Sequence, residues 1–228
     1  MLQAMSSQQP AAGASSPTID EIVLADEPER WAALGFTVAD DVLQLGSVRL
    51  RLAGADAGRG IVGWSLRGLS GGELDGLATT LSQSAPPDPG PAHANGIASI
   101  DHIVVMTADL DRSVRALATA GLDLRRVREQ PTPAGAPRQA FFRLGQEILE
   151  VVQEPEQVIA EHGGRNRPAR LWGLALLAPD LDRTVAALSP RVGAVRDAVQ
   201  PGRRIATVKR SAGLAVPVAL MSARPQPG

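Results

Sequence analysis

Three histidines, twenty-four carboxylates and no cysteine set the chemistry open to this 228-residue chain. Without cysteine there is no disulfide, no thiolate metal site and no thiol nucleophile. His102 alone among the histidines lies in an apolar, β-branched run, Ile100-Asp101-His102-Ile103-Val104-Val105-Met106, which reads as a half-buried or central strand. An imidazole there can bind a metal, or act as a general base when a neighbouring carboxylate fixes its tautomer. His93 falls in a Pro/Gly-rich stretch and His162 in a Gly-flanked loop, so both are expected to be solvated. A second group is basic: Arg203, Arg204, Lys209 and Arg210 in PGRRIATVKR, with Arg138 and Arg143 in an earlier strand. Strand alternation predicts Arg204 and Arg210 on one face, and Lys209 with Ile205 and Thr207 on the other. Turned into a cavity, one of them could pair with a ligand carboxylate or phosphate. Turned outward, they are solvated strand faces or edge guards. Trp172 reads as cavity wall or as core.

Other motifs fall short. Gly54, Gly58 and Gly60 do not open a helix after a strand, so they are loop glycines rather than a dinucleotide-binding turn. In Gly63-Trp64-Ser65-Leu66-Arg67, Arg67 stands where a nucleophile elbow needs glycine.

The elements that would position His102 can be read along the chain. After the Ile100–Met106 strand, Asp109 stands as an N-cap, and Leu110, Val114, Leu117 and Ala118 recur at helical spacing. Gly121 closes the helix. A charged strand at Leu124–Glu129, a loop at Gln130–Pro137, and strands at Gln139–Leu144 and Ile148–Val152 about a Gly145-Gln146 turn complete a βαβββ unit. The unit recurs: Asp109–Leu117 matches Asp180–Leu188 at seven of nine places, 71 residues on. A strand at Leu171–Ala178 precedes the second copy, and strand-like Arg204–Arg210 and Leu214–Met221 follow it. Glu154–Arg170 is read as a polar joining loop.

The N-terminal part looks like a shortened version. Ile19-Asp20-Glu21-Ile22-Val23 opens as Ile100-Asp101-His102-Ile103-Val104 does. A short helix at Pro28–Leu34 and strands at Val42–Leu45 and Val48–Leu52 follow. Gly60–Leu69 with a helix-like Glu73–Leu81 reads as a fourth copy that stops after its helix. The expected organisation is a disordered tail at 1–17, a degenerate half at 18–83, a Pro-rich linker at 84–96, a paired domain at 97–223 and a tail at 224–228.

A tandem βαβββ with I-D-H-I-V-V in its first strand and I-L-E-V-V in its last resembles the vicinal oxygen chelate superfamily of glyoxalases, extradiol dioxygenases, epimerases and bleomycin-resistance proteins. The resemblance implies an α+β fold in which paired modules make a cup-shaped mixed sheet. It also implies a divalent metal held by one residue from the first and one from the last strand of each module. In the central module these positions are His102 and Glu150. In the next module they are Gly173 and a strand, Leu214–Met221, without Asp, Glu, His or Gln, so half the set is missing. The N-terminal copy has Glu21 and Arg51 instead, an ion pair needing no metal, and Gly63 again takes the first-strand place. His102 and Glu150 are thus metal ligands, or a hydrogen-bonded pair on the cavity floor able to serve as a general base. A site shared by two central modules across a homodimer is a further arrangement.

A net charge of −1 and 3% aromatic residues give no pull toward nucleic acid or anionic membrane. No apolar run approaches membrane-spanning length and the start lacks a signal-peptide pattern, so the expected location is cytoplasmic. The resemblance implies a glyoxalase-like protein handling a small organic molecule as a metal-assisted lyase, isomerase or dioxygenase. The alternatives are a metal-free sequestering protein of the same fold, or a structural or regulatory member with a filled cup. Trp172, Arg143, Arg204 and Lys209 are the candidate ligand contacts.

Overall fold

The computed structural model describes residues 16–132 and 135–224. The expected tails therefore lie outside it apart from Ser16, Pro17 and Arg224, as do two residues of the Gln130–Pro137 loop.

The N-terminal half contains β1 (Thr18–Leu24), a short helix α1 (Pro28–Ala32), β2 (Val42–Leu45), β3 (Val48–Leu52), β4 (Ile61–Arg67) and β5 (Thr79–Ser82). Pro28 opens α1, where a missing N–H costs nothing. Gly46, at φ +61°, makes the turn between β2 and β3. The five strands lie in the order β2-β3-β1-β4-β5, with β1 parallel to β3 and antiparallel to β4.

The C-terminal half runs β6 (Ser99–Thr107), α2 (Leu110–Thr119), β7 (Asp123–Arg128), β8 (Gln139–Leu144), β9 (Glu147–Gln153), α3 (Glu156–Glu161), β10 (Arg170–Ala178), α4 (Leu181–Leu188), β11 (Arg196–Asp197), β12 (Arg204–Thr207) and β13 (Val218–Ser222). Its eight strands are ordered β11-β12-β13-β10-β6-β9-β8-β7. The repeated D-L-D-R motif starts a helix twice. Asp109 caps α2 by accepting from Arg112 N at 2.9 Å, and Asp180 caps α4 by accepting from Arg183 N at 3.0 Å.

The register exposes an internal two-fold. In the antiparallel pair β6–β10, His102 faces Ala175, Ile103 faces Leu174 and Val104 faces Gly173. A shift of 71 residues carries His102 onto Gly173, Ile103 onto Leu174 and Val104 onto Ala175, so equivalent residues meet across one axis. The smaller sheet repeats the device: Glu21 faces Ser65, Ile22 faces Trp64 and Val23 faces Gly63. Its five strands match β8, β9, β6, β10 and β13, and it lacks counterparts of the edge strands β7, β12 and β11.

One side of each sheet feeds a single continuous core. Ile22, Leu24, Leu50, Trp64 and Leu66 belong to the same buried cluster as Ile103, Val105, Phe142, Leu149, Leu176 and Leu220. The small half has too little helix to cover its own apolar face, and the large half supplies the cover. The opposite faces carry the polar groups.

Four readings of the sequence need correction. Glu73–Leu81 is not helical: Gly71, Gly72, Asp75 and Gly76 all have positive φ, and the segment ends in strand β5. That loop delivers Asp75 to the junction between halves. Arg112 Nε donates to it at 2.6 Å, Ser113 also hydrogen-bonds to it, and Ala169 N donates to its carbonyl at 2.8 Å. Tertiary demand overrides helical periodicity here. Asp75→Ala is expected to cost about 1–3 kcal/mol in denaturant unfolding, because it removes the carboxylate facing a partly buried guanidinium and leaves that group the Arg165 and Arg167 carbonyls alone. A midpoint within error of wild type would contradict this role. Second, Glu154–Arg170 holds helix α3, and Glu154 is buried in ion pairs with Arg167 and Arg170. Third, the strand read over Arg204–Arg210 stops at Thr207, and the one read from Leu214 begins at Val218. Fourth, His93 is buried: its Nδ1 accepts from Thr37 N at 3.0 Å, Nε2 meets Gln44 O at 3.0 Å, and the ring stands edge-on to Phe36. His162 is exposed.

Candidate functional site

A β-bulge builds the site. On β6, Ile100 pairs with Leu176 and His102 with Ala175, leaving Asp101 as an extra residue. Ile100, Ile103, Val105 and Thr107 turn into the core, while Asp101 and His102 both turn to the open face. Consecutive side chains cannot share a face in a regular strand. The bulge allows it, and His102 Nδ1 lies 2.8 Å from Asp101 Oδ2. β9 runs parallel to β6, with Glu150 beside Val104. Its Oε2 is 3.2 Å from His102 Nε2. Both nitrogens of the ring are thus met by carboxylates, and the His102 and Glu150 side chains are each 13% exposed.

Further residues extend this contact at both ends. Arg203, immediately before β12, donates from Nη1 to Asp101 Oδ2 at 3.0 Å and from Nη2 to Oδ1 at 2.7 Å. Its Nε donates to Ser222 O at 3.0 Å. Such a two-point fork fixes a carboxylate in orientation as well as charge. At the other end the Gln139 amide donates to Glu150 Oε1. The series Arg203–Asp101–His102–Glu150–Gln139 draws on four strands or strand ends, β12, β6, β9 and β8.

The two carboxyls are pushed in opposite directions. Burial would raise Asp101, but hydrogen bonds from His102 and Arg203 outweigh it and hold the group at about 2. Burial pushes Glu150 up, against the opposing pull of His102 and Arg128. Asp101 is therefore ionised across the neutral range and Nδ1 carries a proton toward it. On the other side of the ring, Nε2 and Glu150 Oε2 stand within hydrogen-bond reach of each other. A ring nitrogen and a carboxyl 3.2 Å apart can pass one proton between them, which is what an acid–base pair needs.

The other residues singled out from sequence fall in different places. Arg143 shares the face of Glu150, opposite Ile148, with Nη1 on Gln146 O at 3.4 Å. Trp172 is the extra residue of a second bulge, on β10, and is 40% exposed. Arg204 turns away and pairs with Asp182 of α4 at 3.0 and 2.8 Å. Lys209 is exposed beyond the end of β12, where strand alternation no longer applies. Asp101, Arg203 and Gln139 were not singled out as site residues. The available signal was the spacing Ile100-x-x-Ile103, three where a strand gives two.

In the smaller half the same bulge leaves Asp20 unpaired between Ile19 and Glu21. Asp20 accepts from Arg49 at 2.6 Å and from Arg67 and Ser82. Glu21 and Arg51 form the ion pair the sequence suggested, Nη2 to Oε2 at 2.8 Å and Nε to Oε1 at 3.1 Å. A cleft of about 630 Å³ opens on this face beside Glu21, Gly63, Trp64 and Thr79. Every acid on it is held by arginine, so no base is free there.

No family model matches the chain, and no curated protein matches it. Among solved structures, a fusion protein of a xylose isomerase-like TIM barrel and 4-hydroxyphenylpyruvate dioxygenase matches at TM-score 0.62 and 12% identity, over 96% of this chain and 51% of that one. The chain has the vicinal oxygen chelate fold. It spans about half the length of that fusion protein. Methylmalonyl-CoA epimerase from Mycobacterium tuberculosis matches at TM-score 0.48 and 16% identity, over 58% of this chain and 92% of that one. A variant of the Streptomyces coelicolor epimerase, in complex with 2-nitronate-propionyl-CoA, matches at 0.46 and 20%, over 57% and 99%.

The donor set of this vicinal oxygen chelate sheet does not fit a divalent ion. Catalytic sites of such ions usually draw on three convergent protein ligands. Here Asp101 and Glu150 sit on opposite nitrogens of His102 and cannot converge beside it. Across the two-fold the place of His102 is taken by Gly173, where a Cβ would lie 2.9 Å from the Pro217 carbonyl oxygen. Val218–Ser222 offers no Asp, Glu or His. Among the described residues no group of three such side chains is arranged to hold a metal. Among the described residues no helix is long and apolar enough to cross a membrane.

Proposed function

We propose that the open face of the larger sheet performs metal-independent proton transfer on a small organic molecule, with His102 and Glu150 exchanging the proton. The observation that carries this reading is the imidazole bracketed at both nitrogens, by Asp101 at 2.8 Å and by Glu150 at 3.2 Å, with burial raising the Glu150 carboxyl. Asp101 and Arg203 are positioning residues: they hold the ring and its Nδ1 proton, so that only the Nε2–Glu150 side can change protonation. Gln139 holds Glu150 in the same way. A carbon acid laid against Glu150 gives up its proton to that pair, and a proton returned to the other face or another atom gives an epimerised or isomerised product.

The reading is tested by following deuterium from solvent into simple ketones and 2-oxo acids by NMR. Wild-type protein is expected to catalyse exchange at the activated carbon. His102→Ala and Glu150→Gln are expected to lower it at least about a hundredfold, the usual scale of a general acid–base contribution. A chelator is expected to change nothing. Loss of exchange on chelation would return the face to metal-assisted chemistry. Exchange that survives both substitutions would take the proton transfer away from His102 and Glu150, and no exchange in the wild type would leave the face a binding surface only.

A further inference from the structure

Arginines on the edge strand nearest Glu150 stand without partners. β7 pairs with β8 through Arg126–Phe141 and Arg128–Gln139, and β8 pairs with β9 through Phe141–Glu150. Residues directly opposite in an antiparallel ladder share a face, so Arg126 and Arg128 lie on the face that carries Gln139, Phe141 and Glu150. The Arg126 guanidinium stands over the Phe141 ring, 5.1 Å from its centre. Arg128 is near enough to Glu150 for its charge to act on that carboxyl. Among the described residues neither arginine enters an ion pair, although Arg125 binds Asp123 at 3.0 Å and Arg138 binds Glu129 at 2.7 Å and Asp111 at 3.1 Å. The stretches outside those residues carry no acidic side chain.

Two like charges on one face repel each other unless something anionic lies between or above them. A guanidinium stacked on an aromatic ring is pre-organised to take a carboxylate or phosphate with its free edge. Charge on an edge strand also discourages strand pairing, but that role is served equally from either face. The opposite flank of the same face is closed by the chain itself: Ala175 and Met221 are buried, and Arg203 is bound to Asp101 and to Ser222 O. Ala175 lies beside His102, Ala219 beside Ala175, and Met221 pairs with Ile205. The acid–base pair therefore has an open cationic flank on the β7 side and a closed one on the other.

We infer that Arg126 and Arg128 form an anion subsite, and that the ligand of this face is a small organic carboxylate or phosphate. β7 and β9 are two strand spacings apart, about 10 Å between backbones, so the anion and the carbon facing Glu150 are a few bonds from each other. This assignment rests on the acid–base reading for the position of that carbon, and on the arginines alone for the charge.

The test titrates the full-length protein, isotope-labelled for NMR, with benzoate, phenyl phosphate, benzyl alcohol and benzylamine. One or both anions are expected to bind at least about tenfold more tightly than the alcohol and the amine, shifting the Gln139 side-chain amide. Preference between benzoate and phenyl phosphate assigns the carboxylate or the phosphate. The double substitution Arg126→Gln with Arg128→Gln is expected to remove that preference at an unchanged melting temperature, and the Lys pair to restore part of it. Benzyl alcohol binding as well as benzoate, or a double variant with undiminished anion affinity, overturns the inference. Its failure is separable from that of the acid–base reading. If only the subsite is wrong, deuterium enters neutral ketones and 2-oxo acids equally; if only the acid–base reading is wrong, anion selectivity persists with no exchange.

Discussion

Asp101→Asn is expected to cost about 3 kcal/mol of folding stability at neutral pH, seen as a lower urea midpoint with unchanged slope. Among the described residues the carboxylate is one of two acceptors for the Arg203 guanidinium, which is 5% exposed. Asparagine keeps the shape and leaves a buried cation facing an amide, with Ser222 O as its remaining acceptor. The effect has a definite pH signature. The Asp101 carboxyl is lowered in the folded protein from an ordinary 3.8 to about 2. A carboxyl lowered on folding stabilises in full above its unfolded pKa, and that stabilisation is lost as pH falls through the folded value. Its contribution is therefore whole above about pH 4 and drains away as pH falls toward 2. The variant is expected to lack this acid limb, so the two stability curves converge at low pH. Curves that stay parallel down to pH 2 would show that Asp101 does not carry the clamp. The ring should respond as well: without an anionic acceptor the Nδ1 proton loses its preference, and the imidazole resonances are expected to broaden or shift.

That clamp marks the boundary of what the sequence made legible. The paired βαβββ architecture could be read because both copies keep the same cap and apolar stripe, Asp109 and Asp180 leading into helices 71 residues apart. His102 and Glu150 were found because each is a polar residue inside an apolar strand. Asp101 stood equally in view, but alternation places it on the opposite face from its neighbour. One inserted residue reverses that placement and leaves no compositional trace. It shows only as a three-residue interval between inward apolar positions, at Ile100 and Ile103 and again at Ile19 and Ile22. Arg203 was noticed as part of a basic run without a partner, since its partner is 102 residues away in the chain. Burial of His93 was hidden for a related reason. A Pro-rich composition reports that a segment forms no ladder of its own, and says nothing of whether it is laid against the edge of β2, as the His93–Gln44 contact places it.

The opposing half of the site is closed by backbone rather than by the choice of side chain, and Gly173→His puts this to the test. Such a change returns an imidazole to the place the fold leaves for a second ligand. It is nevertheless expected to cost about 2–4 kcal/mol and to create no metal site. A Cβ at Gly173 would lie 2.9 Å from the Pro217 carbonyl oxygen. That oxygen accepts from Leu174 N at 3.0 Å, the contact that seats β13 beside β10. The carbonyl can retreat only by giving up this bond. The smaller sheet repeats the arrangement at the equivalent residues: Trp64 N donates to Ala78 O at 3.1 Å, and a Cβ at Gly63 would lie 3.3 Å from the same oxygen. Glycine follows in both halves from the way the last strand joins its sheet, and the looser approach at Gly63 makes Gly63→Ala the milder change. Urea unfolding combined with zinc titration measures both consequences for Gly173→His. A variant of wild-type stability that binds zinc more tightly than the parent would show that the carbonyl yields and that the second half of the site was only vacant, not shut.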